Sequence, residues 1–352
     1  MVNWWKPLQG TACEQSANPA RLTRRLWALR VAAGATALVL AACGGGGSSA
    51  DRGPTNITLA SADANGIYWD AAESRLYLTD DTTNAILTWD GDGKTTFSNY
   101  VNLPALQPPA TNTQVSIGEL TRTSNGTFYT TRFGFGNAGT VIAVSPARVA
   151  SNLTGLDPVR RRIAVTVTGA GELLDNWFVT PPSPNATSTG GAISLLTVNG
   201  GAATERELVT GLSKPVGSVV VGRTLYVSDQ TTGRLTSFPL DALLTAPRTA
   251  AQGTLIATFT ADLSVPGNDN IDLTTAGADG NLYLGGRGGK LYRVTPAGVV
   301  TLLDSLNTTA ANAGLLQIRG IAVDNVNRRL FVVVHSTDTA RAPNALRIVP
   351  LN

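Results

Sequence analysis

The chain has 352 residues, with 27 basic and 24 acidic side chains and one histidine, for a formal net charge of +3. At 43% hydrophobic and 14% charged residues, it is apolar enough to build a core and unlike a disordered or membrane-embedded chain. Glycine and threonine are frequent and helix formers do not cluster, so strands and turns are expected.

The chain begins with a targeting segment. Arg21, Arg24, Arg25 and Arg30 surround or precede an apolar run at 31–40. That run is about ten residues long, against the roughly 20 a membrane-spanning helix needs. It ends in Leu40-Ala41-Ala42-Cys43 and a Gly/Ser stretch, which resembles the bacterial lipoprotein signal. The resemblance implies that residues 1–42 are removed and Cys43 carries lipid. Gly44 after the cysteine resembles the outer-membrane sorting pattern, with display on the periplasmic side or the cell surface. An ordinary secretory cleavage site is the alternative. Thr23 to Trp27 also resembles a twin-arginine signal loosely, although a plain basic region explains it as well. Because residues 1–20 are long for such a region, translation is expected to start later.

Removal of that leader changes the charge. Residues 1–42 hold five of the 27 basic and one of the 24 acidic side chains, leaving 22 against 23. No electrostatic case for nucleic acid remains. Cys13 leaves with the leader and Cys43 is lipidated, so no thiol or disulfide is expected in the folded domain. Residues 43–55 read as a flexible tether, and residues 56–352 as one folded domain.

A unit of three short strands opens that domain. Gly66 to Asp70, Arg75 to Asp80 and Ala85 to Trp89 alternate in polarity and are parted by turn residues, with a fourth strand at 95–97. The grammar returns about every 50 residues, within the range for propeller blades. Further units begin at Gly118, Ile163, Val219, Ile271 and Gly320. The third is the least regular, with strands expected at 163–167, 176–180 and 192–198. The sixth lacks room for a fourth strand, while a spare apolar segment, 56–60, precedes the first. An all-β, six-bladed β-propeller closed by its N-terminal strand follows, with no exposed long sheet edge. Long loops are expected at 104–115, 147–159, 181–190, 241–253 and 305–316.

The phrases Gly66-Ile67-Tyr68-Trp69-Asp70, Asp279-Gly280-Asn281-Leu282-Tyr283-Leu284 and Pro296-Ala297-Gly298 resemble the senescence marker protein/gluconolactonase propellers. NHL-repeat propellers look similar. The lactonase resemblance implies one divalent cation (calcium, magnesium or zinc) at the tunnel mouth, held by a Glu, an Asn and an Asp. Here the matching positions read Asn65, Val216 and Asp269. Only Asp269 keeps a ligand, and a hard cation needs several oxygens. No cofactor is therefore expected unless the chain is a lactonase with a degenerate metal site.

Residues just before each first strand should ring the tunnel mouth: Asn65, Arg161, Asp269 and Arg319, with Glu119 close by. They suit a small polar or anionic ligand held through arginine. Equally, Arg319 with Asp269 and Arg161 with Glu119 would form neutralising pairs that seal the tunnel. Other signals reduce to turns. Gly134 to Gly139 matches a dinucleotide string but lacks a following helix. Asp90-Gly91-Asp92-Gly93 lacks the Glu of a calcium loop. Asp80 and Asp229 read as turn caps. His335, the one histidine, reads as structural or exposed, since Ser336 and Asp338 are too near in sequence to assume a triad. A ligand-binding or protein-interaction module of the cell envelope is the first functional expectation, and a lactonase-type hydrolase the second.

Replacing Cys43 by serine should move the protein from the membrane to the soluble fraction on cell fractionation. Retention in the membrane would contradict lipidation at this residue.

Overall fold

A computed structural model describes residues 53–59, 62–106, 115–134, 138–180, 189–259, 271–310 and 312–351. Cys43 and Asp269 lie outside them. Six antiparallel sheets follow one another along the chain. Blade I holds β2 (Ala64–Asp70), β3 (Arg75–Asp80), β4 (Ala85–Trp89) and β5 (Phe97–Asn102), in that order from the centre outward. Blade II holds β6 (Ser116–Arg122), β7 (Phe128–Phe133), β8 (Thr140–Val144) and β9 (Ala150–Asn152). Blade III is β10 (Arg161–Val167), β11 (Leu173–Val179), β12 (Gly190–Asn199) and β13 (Ala202–Leu212). A two-residue strand, β17 (Arg248–Thr249), adds in parallel to its outer edge.

Blade IV is β14 (Pro215–Val221), β15 (Thr224–Asp229), β16 (Arg234–Pro239) and β18 (Thr254–Thr258). Blade V is β19 (Thr274–Ala276), β20 (Leu282–Gly285), β21 (Lys290–Val294) and β22 (Val300–Ser305). Blade VI is β23 (Leu316–Asp324), β24 (Arg329–Ser336) and β25 (Ala345–Pro350), completed by β1 (Thr55–Thr58). The register runs from Thr55 opposite Ile348 to Thr58 opposite Ala345. The spare N-terminal segment thus closes the ring, as its position in the sequence suggests.

Several boundaries differ from the sequence reading. The fourth strand of blade I lies at Phe97–Asn102, after Thr95. Blade III has longer strands than expected and a polar fourth one, β13. The stretch 241–253, expected as a loop, contains most of α1 (Leu240–Thr245), β17 and a turn of 3-10 helix. Leu240 and Leu243 of α1 are fully buried between blades III and IV. That burial holds a six-residue helix too short to persist alone.

Alternation along the strands gives each blade two apolar faces, and the core lies between blades. Leu76, Leu78 and Trp89 of blade I meet Phe331 and Val333 of blade VI. Their other neighbours, Tyr77 and Ile86, meet Phe128, Ile142 and Val144 of blade II. Equivalent clusters fill the remaining four interfaces. The turn aspartates behave as caps. Asp80 accepts from the backbone N–H groups of Asp63, Thr82 and Thr83, and Asp229 from those of Ser213, Lys214 and Thr232.

Around the central tunnel the inner strands approach too closely for side chains. A Cβ on Gly66 would overlap the carbonyl of Gly118 in the next blade, and one on Gly320 the carbonyl of Asn65. Hydroxyls stitch the same gaps: Thr79 Oγ1 donates to the Gly118 carbonyl at 3.1 Å and Ser228 Oγ to the Asp272 carbonyl at 2.6 Å. Gly66→Ala should therefore destabilise the fold by about 1–3 kcal/mol in urea unfolding, the usual range for overpacking. Gly169→Ala, where a Cβ meets nothing within 4 Å, should be close to neutral. Equal effects would contradict close packing at the tunnel.

Candidate functional site at the tunnel mouth

Three of the ring residues expected from sequence sit in β-bulges of the inner strands. The register slips between Ala64 and Ile67, between Ile117 and Leu120, and between Ile318 and Gly320. Asn65, Glu119 and Arg319 occupy those slips. A bulge breaks the in–out alternation and re-aims a side chain, which is why such residues recur beside sites.

At the mouth where the chain enters the inner strands, Asn65 Nδ2 donates to Asp81 Oδ2 at 2.7 Å. The other oxygen of Asp81 accepts the N–H of Ile117 from blade II. Asp81 follows directly on the capping Asp80, so the turn that Asp80 fixes also delivers Asp81 to the mouth. Burial, with the charges of Asp63 and Asp80, pushes its carboxyl up to about 7, against the pull of Ile117 N–H and Arg319. On the other side, His335 Nδ1 lies 2.7 Å from Asp63 Oδ1. Burial raises the Asp63 carboxyl, but the hydrogen bond and charge of His335, with the charge of Arg319, hold it below its ordinary value.

Arg319 stands among these acids. Burial and the neighbouring charge of Arg287 lower its pKa, while Asp272, Asp63 and Asp81 oppose the shift. Its Nε–H has no hydrogen-bond partner among the described residues. Among the described residues the mouth therefore combines a half-buried cation whose Nε–H has no acceptor there, an amide, an acid titrating near neutrality, and a histidine–aspartate pair.

Arg161 and Glu119 do not form the neutralising pair that sequence suggested. The Arg161 guanidinium lies 3.8 Å from the centre of the Phe133 ring and donates to Thr180 Oγ1 at 3.0 Å, and burial pulls its pKa down to about 10. Glu119 is 9% exposed and lines the tunnel below the mouth, beside Thr121 and Ser218. Burial and the charge of Asp272 push its carboxyl well above the usual range. Asp269, the other proposed partner of Arg319, lies outside the described residues.

Sequence reasoning missed Asp63, Asp81 and Asp272, and gave His335 no partner. His335 and Asp63 are 272 positions apart, so no local spacing could have paired them. A signal for Asp81 existed in the doubled Asp80-Asp81, since one carboxylate suffices to cap a turn.

The described residues at the matching positions, Asn65 and Val216, do not fit the divalent cation of the lactonase resemblance. Asn65 is turned toward Asp81, and Val216, where an Asn side-chain oxygen would be needed, is fully buried and apolar. Arg319 already supplies positive charge to Asp63 and Asp81. Among the described residues no three His, Cys, Asp or Glu side chains gather as a metal site.

No family model and no curated protein matches the chain. Solved structures do. A luciferin-regenerating enzyme superposes with a TM-score of 0.61 at 14% identity, over 85% of this chain and 95% of that one. The shared architecture is the six-bladed β-propeller. Regucalcin from Agrobacterium tumefaciens, described as a calcium-binding protein, gives 0.58 at 16% identity, over 83% and 94%. A gluconolactonase from Xanthomonas campestris gives 0.56 at 14% identity, over 85% and 89%. At these identities the likeness is one of fold, and activity has to be argued from the site.

Asp81 supplies a pH signature. Its carboxyl keeps a proton in the folded chain up to about pH 7 but loses it near pH 4 when unfolded. The folded state therefore binds the extra proton between those values, and the contribution of this group to stability falls as pH rises through the window. Asp81→Asn should raise the melting temperature relative to wild type at about pH 8 and leave it unchanged near pH 4. A variant whose deficit grows with pH would contradict a desolvated Asp81.

Proposed function

We propose that this protein is a lipid-anchored propeller of the bacterial envelope that binds a small anionic, polyhydroxylated ligand at the upper mouth of its tunnel. The observation that carries this reading is Arg319, half-buried on a bulge with an N–H that has no acceptor among the described residues. A guanidinium offers a planar fork of donors that matches a carboxylate, and partial burial strengthens the resulting charge-assisted bonds. Asn65, Asp81 and the His335–Asp63 pair surround it with acceptors and donors suited to hydroxyl groups. A sugar acid has both features. The lipid on Cys43 would hold this mouth close to an envelope surface without a membrane-spanning segment.

A second reading, hydrolysis of a sugar lactone, draws on the gluconolactonases among the structural neighbours and on Asp81. A carboxyl poised near 7 suits a general base at neutral pH. Its two oxygens are both engaged, by Asn65 and by Ile117, which favours a positioning role and places the binding reading first.

Calorimetric titration with gluconate separates the readings from the absence of any site. Wild type should bind one equivalent, and Arg319→Gln should weaken binding at least tenfold with unchanged circular dichroism. Chelator should leave gluconate binding unaltered. Gluconolactone turnover that vanishes with chelator and returns with calcium would replace the proposal by a metal-dependent hydrolase. Turnover that survives chelator and is lost in Asp81→Asn would establish the second reading.

A further inference from the structure

Strand direction divides the turns between two faces. β1 runs from Thr55 toward the mouth, so Gly53 and Pro54 lie on the opposite face, together with the turns that follow β19, β21 and β23. On that face a cleft of about 560 Å³ opens between blades V and VI, within the roughly 300–1,000 Å³ of small-ligand sites. Arg293 of β21 and Arg328 of the turn after β23 line it, with Asp279 and Tyr283. Thr55 pairs with Ile348, and the next residues of that strand, Val349 and Pro350, reach the same cleft. The segment that follows Cys43 therefore joins the domain at the edge of the cleft.

The two arginines set this cleft apart. Arginines nearby in blade VI are paired, Arg329 with Asp92 and Asp324, and Arg347 with Asp304. Arg293 and Arg328 have no hydrogen bond or ion pair among the described residues, and the Nε of Arg293 is buried without an acceptor there. Buried polar groups are seldom left so. Asp279, the one acid on the described lining, already accepts from the Asn281 N–H, from Asn281 Nδ2 and from the Tyr283 hydroxyl. Burial and Asp279 push the Tyr283 hydroxyl up to about 12, while Arg293 and Arg328 pull it down, so both guanidiniums act on one spot. Two forks of donors against one engaged carboxylate suit an anion, and phosphate has oxygens enough for both.

Two features favour a phosphate carried by lipid. Residues 44–52 part Cys43 from Gly53 and span at most about 35 Å, so lipid on Cys43 brings this face within reach of the headgroups. The turns beside the cleft also expose valine. Val326, 81% exposed, shares its turn with Arg328, and Val299, 60% exposed, ends the turn that follows β21. Exposed apolar side chains beside arginine match the boundary between headgroups and acyl chains.

We propose that the face opposite the mouth rests on the membrane, with the phosphate of a phospholipid headgroup held in this cleft by Arg293 and Arg328. The lipid-anchor reading above supplies the setting on which this rests. The mouth then points away from the membrane and stays open to a soluble ligand.

The test uses the full chain with Cys13→Ser and Cys43→Ser, which carries no lipid, so its result is independent of lipidation at Cys43. One cysteine is then introduced for an NBD fluorophore, either by Val326→Cys or by Thr82→Cys in the exposed turn after β3 on the mouth side. Both chains share the same N-terminus, so the difference between labels reports which face meets lipid. On vesicles of phosphatidylglycerol and phosphatidylcholine, the label at 326 should shift to the blue and be quenched by doxyl-labelled lipid. The label at 82 should not change. Arg293→Gln combined with Arg328→Gln should weaken vesicle binding at least tenfold and leave gluconate binding as in the parent chain. Inorganic phosphate should give no saturable heat in calorimetry. Saturable phosphate binding without vesicle association would overturn the lipid assignment in favour of a soluble ligand. Absence of vesicle binding, equal binding by the double variant, or quenching at 82 instead of 326 would each overturn the proposal as a whole.

Discussion

The ring depends on one short strand pairing. β1 supplies four residues to the edge of β25, and without it blade VI would end in an open ladder of unpaired N–H and C=O groups. The closure is reinforced beyond the ladder. Leu59 N–H donates to the carbonyl of Asn344, and Asn344 Nδ2 donates back to the carbonyl of Ala62. Asp63 then reaches His335. Closure therefore positions the mouth as well as sealing the sheet: Asp63 and Asn65 arrive directly after the closing strand, and Arg319 faces them from blade VI. With no cysteine among the described residues to tie the ring, the same few hydrogen bonds serve both stability and site.

Much of the fold was legible in the sequence, and the parts that were not share a cause. Blades I and VI announce themselves because a glycine leads each inner strand and apolar residues alternate behind it. Those glycines are demanded by the contact of Gly66 with Gly118 and of Gly320 with Asn65. Blade III hid because it buries charge where a pattern reader looks for apolar residues. Arg162 is fully buried, donating to Glu205 and lying 3.4 Å from Asp175. Arg160 packs over Trp177 and pairs with Glu207. A buried network of this kind costs desolvation on every charge, and only mutual pairing keeps it tolerable. Read residue by residue, Arg-Arg and Glu-Arg-Glu look like solvent-facing polarity, and so β13 passed unnoticed.

The site was legible only as a list of positions. Spacing could place Asn65, Glu119 and Arg319 near the tunnel because each precedes or opens an inner strand. It could not foresee that Glu119 would line the tunnel while Asn65 and Arg319 meet Asp81 at the rim. Nor could it pair groups that meet only once the ring is closed, as Asp63 and His335 do. The tunnel consequently carries two electrostatic regimes. At the rim, Arg319 stands among carboxylates and His335 meets Asp63. Below it, burial and the charge of Asp272 push the Glu119 carboxyl well above its usual range.

The closing strand also imposes an order of events in time. The residues of β1 are among the first of the folded domain to be made, but Ala345, the partner of Thr58, follows 287 positions later. At about 5–20 residues per second, that strand waits roughly 15 to 60 s for the other half of its sheet. A long apolar strand left unpaired for so long would seek the wrong partner. Thr55–Thr58 is short, threonine-rich and commits only Ile57 to the core. Its modest composition keeps the latch harmless until the last blade is ready to receive it.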